Sequence, residues 1–287
     1  MQQNNNLSVL PFYDSLNEQN HRKPYAYGAI YPLYSHVTSL PPFQILRTTR
    51  TNSTLTVNIY DKEGRFMADI SQLMIDAGLQ VVRFEAKGYD VIVFPARLNN
   101  LNAVGIGQYY LTVSDGLQTW YSDIVTLVAD TTGYLSVEWY CKQNMTFDGG
   151  EIVYTNPSFS NRLLLCTELG KPEYPFEEEG ETRDGFFFPV KQISEKVYKF
   201  QFLASEYLCD VMRLIRMADV VVIRDRYGRT YRCDQFLMTP EWETQGDLAS
   251  VTVEFHTDTV VKKIGTGYQL ELGGDFNDDY NNDYKIS

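Results

Sequence analysis

The chain has 287 residues, 44% hydrophobic and 22% charged, with a formal net charge of −12 at pH 7. That length admits two domains with cores of their own, and the proportions are those of a globular protein. The negative balance argues against direct nucleic-acid binding, which rests on clustered Lys and Arg.

A total of 21 tyrosines and 16 phenylalanines suits half-buried strands and contact surfaces, so the expected class is mainly β. The start, MQQNNNLSVLPFYD, lacks the basic region and apolar run of a secretory signal. No stretch approaches the about 20 apolar residues of a membrane span, so a soluble, unexported protein with no membrane partner is expected.

Residues 1–42 are rich in Asn, Gln, Tyr and Pro and follow neither the helix nor the strand period. They are expected to be an extended arm whose Tyr25, Tyr27, Tyr31 and Tyr34 either lie along a neighbour or stay disordered. Residues 43–132 change to short strands separated by turns. In LTVNIYDKEGRF, Leu55, Val57 and Ile59 alternate before a turn over Asp61–Gly64, the pattern of a hairpin. YDVIVFP and GQYYLTVSDGLQTWYSDIVTLV continue the series, the latter turning at Asp115-Gly116 and returning through Trp120, Ile124, Thr126 and Val128. A short helix over Ser71–Ala77 interrupts them, and the spacing predicts an immunoglobulin-like β-sandwich.

Residues 133–265 are expected to form a second β domain, a sandwich or barrel with one packed helix. YLSVEWYC, EIVYTN and KVYKFQFL read as strands. Ser205 is a candidate N-cap with Glu206 in the first turn, and Leu208, Val211, Met212 and Ile215 recur at helical spacing, giving one helix over about 205–218. The sulfur stripe of Cys209, Met212 and Met217 reads as core packing. VVVIRDRYGRTYRC predicts a hairpin turning at Tyr227-Gly228 with Val220–Ile223 buried, and ASVTVEFHTDTVV, residues 249–261, predicts the last strand. Residues 266–287 are an acidic tail, in which Asp275, Asp278, Asp279 and Asp283 lack the spacing of a calcium loop.

Chemistry-bearing patterns are sparse. The four cysteines stand singly, without metal-ligand spacing, and read as free thiols of a reducing compartment. The three histidines, His21, His36 and His256, have no nucleophile elbow to serve, and neither a dinucleotide fingerprint nor a P-loop occurs. No cofactor, metal or catalytic residue is expected. The densest cluster is FEEEGETRDG followed by FFFPV: Glu177, Glu178, Glu179, Glu181, Arg183 and Asp184 run into Phe186, Phe187 and Phe188. Two of these carboxylates at fixed separation would suit glycoside hydrolysis, but with 37 acids in the chain such clusters arise without function.

FEEEGETRDGFFFPVKQISEKVYKFQFLASEYLCDVMRLIRMADVVVI and FLMTPEWETQGDLASVTVEFHTDTVVKKIG resemble structural proteins of tailed bacteriophages and prophages of Bacteroides-type gut bacteria, a likeness covering roughly residues 137–265. The order of strand, helix, hairpin and closing strand is similar to the tail-tube and distal-tail fold. The resemblance implies a non-enzymatic virion protein, made in the bacterial host cytoplasm, forming a ring in the tail or neck with copies of itself and with neighbouring virion proteins. It also implies that the nine residues from Glu177 to Phe188 named above form an extended loop that makes an inter-subunit contact. The N-terminal immunoglobulin-like module departs from the single-domain pattern of tail-tube proteins. The alternative is a carbohydrate-binding or adhesive β-sandwich in which Trp120, Trp139 or Trp242 stacks on sugar rings.

Overall fold

The computed structural model describes residues 8–14, 33–47, 53–84, 88–95, 104–142, 145–146, 153–154, 160–242 and 248–264. It divides into two units, one of residues 1–171 with 198–258 and one of residues 172–197 with 259–287. The architecture is mainly β, with one short helix at a strand junction and one helix packed into the core.

The first unit opens with β1 (Phe12–Tyr13), β2 (Leu33–His36), β3 (Phe43–Arg47), β4 (Thr56–Asp61) and β5 (Phe66–Asp69). Helix α1 (Ser71–Asp76) follows, then β6 (Gln80–Phe84), β7 (Tyr89–Phe94), β8 (Gly107–Ser114), β9 (Thr119–Ser122) and β10 (Val125–Val128). Strand β7 carries the run Tyr-Asp-Val-Ile-Val-Phe and is buried along its whole length as the centre of the sheet β3-β7-β6. Val91–Phe94 supply the apolar run that a strand covered on both faces requires, and the buried Asp90 beside them has Arg47 as its cation. By contrast β4 alternates, burying Val57 and Ile59, and pairs with β8, whose Leu111 and Val113 are also fully buried. The two sheets close over Trp120, Phe43 and Phe94, with the Phe12 and Phe43 rings 4.6 Å apart and those of Phe43 and Phe94 5.3 Å apart. The layering is that of a β-sandwich.

The chain continues through β11 (Leu135–Tyr140), β12 (Met145–Thr146), β13 (Val153–Tyr154) and β14 (Asn161–Leu165). Next come β15 (Phe176–Arg183) and β16 (Phe186–Ser194) of the second unit. β17 (Val197–Ser205) leads into α2 (Glu206–Met212), which tightens into a 3-10 turn over Arg213–Met217. β18 (Val220–Arg224), β19 (Thr230–Trp242), β20 (Leu248–Thr257) and β21 (Val261–Ile264) complete the order. Ser205 caps α2: its backbone is extended and its Oγ accepts the Leu208 N–H at 3.4 Å. Leu208, Cys209, Val211, Met212, Leu214 and Ile215 are buried in the hydrophobic core, whereas Met217 is exposed. Two members of the sulfur stripe therefore pack inside and the third does not.

The largest sheet has 13 strands and runs β1-β9-β8-β10-β2-β14-β11-β18-β19-β20-β17, with β4 joined to β8 and β5 to β4. It crosses the boundary expected between residues 132 and 133, which lies within the first unit. The bridge is β2, from the expected arm. Its residues 33–36 pair in parallel with 125–128 of β10, and Tyr34 pairs with Leu164 of β14. A four-residue segment of mixed polarity carries too little periodicity to announce a central strand. Tyr34 also meets the Tyr134 ring at 4.8 Å. Tyr25, Tyr27, Tyr31 and His21, and the tail with Asp275, Asp278, Asp279 and Asp283, lie outside the described residues.

Three further expectations are corrected. Val220–Ile223 is not buried throughout, because β18 alternates and only Val221 and Ile223 are covered. The last strand, expected over 249–261, is two: β20 ends at Thr257, and β21 begins at Val261 in the other unit. The cluster FEEEGETRDGFFFPV is not a loop but two strands.

Candidate functional site

The nine residues singled out in the sequence fall on one hairpin of the second unit. Glu177, Glu178, Glu179, Glu181 and Arg183 lie on β15, Asp184 is in the turn, and Phe186, Phe187 and Phe188 open β16. Asp184 and Gly185 both have positive φ, 52° and 84°, as a two-residue type I′ turn demands, and Asp-Gly is a pair that adopts it readily. The turn sets the register: Arg183 faces Phe186, Thr182 faces Phe187 and Glu181 faces Phe188. A bulge at Glu179/Gly180 then shifts it, so that Glu179 faces Lys191 and Glu177 faces Ile193.

At Gly180 the two strands approach closely. A Cβ there would stand 2.3 Å from the Phe188 carbonyl oxygen and 2.7 Å from the Phe187 ring, so only glycine lets β16 approach and lets that ring lie over the backbone. Alternation from this point places Phe187 on one face and Phe186 with Phe188 on the other. All three are exposed, at 51%, 71% and 51% respectively. Tyr174, Phe176 and Val190 are exposed beside them, and every residue of β15 is exposed.

Polar contacts within β15 and across to β16 line the hairpin. Arg183 donates to Glu181 Oε2 at 2.6 Å, Lys191 Nζ lies 3.6 Å from Glu179, and Gln192 donates to Glu178. Each such exposed contact contributes at most about 1 kcal/mol. β21 adds a third strand, pairing Val261–Ile264 with Ser194–Lys191. The second unit thus presents a three-stranded sheet, β15-β16-β21, whose outer strands have no further ladder partner among the described residues. Val261 and Ile264 are 70% and 64% exposed. Exposed apolar side chains grouped on one sheet mark a surface that gains from being covered.

His36 is held between Thr38 Oγ1 at 2.6 Å and the Ala129 carbonyl at 2.9 Å, and His256 lies on β20, 3.7 Å from Glu254. Among the described residues no three His, Cys, Asp or Glu side chains converge to hold a metal ion. A cleft of about 400 Å³ is lined by Arg216, Asp219, Arg232, Cys233 and Asp258. Burial, reinforced by Asp234, pushes the Cys233 thiol up to about 12, so it carries no nucleophilic thiolate near neutrality. Trp120 and Trp139 are 1% and 2% exposed, which removes both as stacking platforms for sugars, and Trp242 alone is exposed.

One feature of the sequence went unrecognised: the same five-residue turn occurs twice. In Asp61-Lys62-Glu63-Gly64-Arg65 and Asp225-Arg226-Tyr227-Gly228-Arg229, the first aspartate accepts the backbone N–H of the third and fifth residues at 2.8 to 3.1 Å. Each arginine Nε donates back to the other carboxylate oxygen at 2.7 Å. Each glycine sits at positive φ, 87° and 77°. The spacing D-x-x-G-R was the available signal. Both turns are hairpin locks with saturated hydrogen bonding, and neither presents a reactive group.

The β21 strand with Lys262 and Lys263 was also missed, because the alternation of β20 runs on into it in the sequence. No family model matches the chain, and no curated protein or solved structure does either.

Proposed function

We propose that this chain is a non-enzymatic structural protein of a tailed-phage virion that joins copies of itself into a ring of the tail or neck through the 176–194 hairpin. The observation that carries the reading is the exposure of Phe186, Phe187 and Phe188 on both faces of the β15–β16 hairpin. Three phenylalanines left in water are costly for a monomer, and burying each one contributes on the order of 1.5–3 kcal/mol to association. The resemblance of residues 137–265 to phage structural proteins supplies the virion context. On this reading the strands over 43–132 are an immunoglobulin-like module and those over 133–265 a tail-tube-like one.

Light scattering and electron microscopy of the purified protein test the proposal. Assembly into rings is expected, and replacing Phe186 and Phe188 with Ser is expected to leave monomers with an unchanged melting transition. A wild-type chain that stays monomeric at high concentration and joins no particle overturns the reading.

A carbohydrate-binding role now rests on Trp242, 47% exposed at the end of β19. Glycan-array binding abolished by Trp242→Ala would favour it over assembly.

A further inference from the structure

The two outer edges of the second unit's sheet carry opposite charge. β15 holds Glu177, Glu178, Glu179 and Glu181 against one Arg183, while β21 is Val-Lys-Lys-Ile with no acid. Neither edge has a ladder partner among the described residues, and neither Lys262 nor Lys263 has an ion-pair partner among them. We infer that the sheet grows head to tail, the basic β21 edge of one copy adding to the acidic β15 edge of the next. The inference rests on the assembly reading above and specifies its contact.

The charges select the symmetry. Two copies meeting through like edges would set Glu177–Glu179 against themselves, or Lys262 and Lys263 against themselves, and like charges directly opposite across a ladder destabilise it. Unlike edges meet with attraction. β15 and β21 are both antiparallel to β16, hence parallel to each other, so a copy related by rotation about an axis along the strands brings its β15 up parallel to β21. The cross-strand register places Phe176 with Val261, Glu177 with Lys262 and Glu178 with Lys263 on common faces. Setting Val261 beside the next copy's Phe176 therefore sets Lys262 beside Glu177 and Lys263 beside Glu178, with an apolar pair and an ion pair on the same face. Such a contact is heterologous: repeated, it closes into a ring or runs on as a filament. Main-chain hydrogen bonds of the added strand supply affinity and the side chains its register.

The test is a charge swap followed by light scattering and sedimentation. Glu177→Lys with Glu178→Lys in one protein, and Lys262→Glu with Lys263→Glu in another, are each expected to lower the association constant at least tenfold while both proteins melt as the wild type does. Mixing the two, or combining all four changes in one chain, is expected to restore association. Wild-type oligomers untouched by either reversal overturn the edge pairing and leave the assembly reading standing. Oligomers strengthened by either reversal overturn it, since unlike edges that have become alike in charge must repel. A wild type that never associates overturns the assembly reading and this inference together.

Discussion

Arg47 and Asp90 face each other directly across the β3–β7 ladder, with Nη2 of the arginine donating to Oδ2 of the aspartate at 2.8 Å and both side chains at most 1% exposed. Nη1 of the same guanidinium reaches Asp115 Oδ2 at 3.3 Å, and Asp115 Oδ1 accepts the N–H groups of Leu117 and Gln118. The arginine thereby ties the small sheet to the turn after β8. Removing it takes the cation from two buried carboxylates. Arg47→Met is expected to lower unfolding free energy by about 3–5 kcal/mol, as breaking one side of a buried pair does. Urea denaturation checks this, and a loss below about 1 kcal/mol would show the carboxylates relieved by water.

The paired D-x-x-G-R turns make stability fall in acid. Asp61 is held below the ordinary carboxylate range by the Arg65 backbone N–H first, with the Arg65 side chain adding to it against the cost of burial. For Asp225 burial is the largest influence and acts upward, but the Arg229 side chain with the Arg229 and Tyr227 N–H groups outweighs it, and the net direction is down. A carboxylate with a depressed folded pKa stabilises above its unfolded value of about 4 and loses that contribution as pH falls through the folded value. Melting temperature is therefore expected to hold from neutrality to about pH 5 and to drop below about pH 4. Asp225→Ala should cost about 1–3 kcal/mol at pH 7 and flatten that slope, measured by thermal scans across pH.

Gly180→Ala is expected to open the hairpin without unfolding the first unit. The added methyl meets the Phe188 carbonyl at 2.3 Å, and a backbone atom held by its own ladder has no room to yield. Amide exchange should speed across residues 176–194 while β7 and β20 keep their protection. Unchanged exchange in the hairpin would show that the bulge relaxes to admit a Cβ.

The thiols are expected to separate by reactivity. Burial first, then Asp210 and Glu206, pushes the Cys209 thiol up to about 11, and Cys233 is pushed to about 12, whereas Cys166 is exposed. With iodoacetamide at mildly alkaline pH, Cys166 should be alkylated roughly ten times faster or more than Cys209 and Cys233, since the thiolate is the nucleophile. Mass spectrometry of digested protein reads this directly, and equal rates in the folded state would contradict the placement of Cys209 in the core.

Raised ionic strength should weaken self-association by the two charged edges. Screening contracts from about 8 Å at 0.15 M to about 3 Å at 1 M, so sedimentation at high salt is expected to show smaller species. Association that strengthens with salt would point to the phenylalanines as the dominant contact.

What the sequence by itself determined is what short-range interactions decide. The turns at Asp61–Gly64, Asp115-Gly116 and Asp225–Gly228 need glycine's positive φ next to an acceptor side chain, and the Ser205 cap and the 208–215 stripe need only neighbours within a few residues. Alternation likewise exposed β4 and β20, since burial on one face writes itself as period two. Only the tertiary structure decided the rest. Nothing local to residues 33–36 says that they lie between β10 and β14, or that residues 257 and 261 part into different units. FEEEGETR has neither alternation nor β propensity, and it is a strand because an Asp-Gly turn folds it onto Phe186–Ser194. Strand partners are chosen by surfaces distant in the chain, and so the acidic run acquired its meaning only when the ladder placed it at one edge of a sheet and Lys262 and Lys263 at the other.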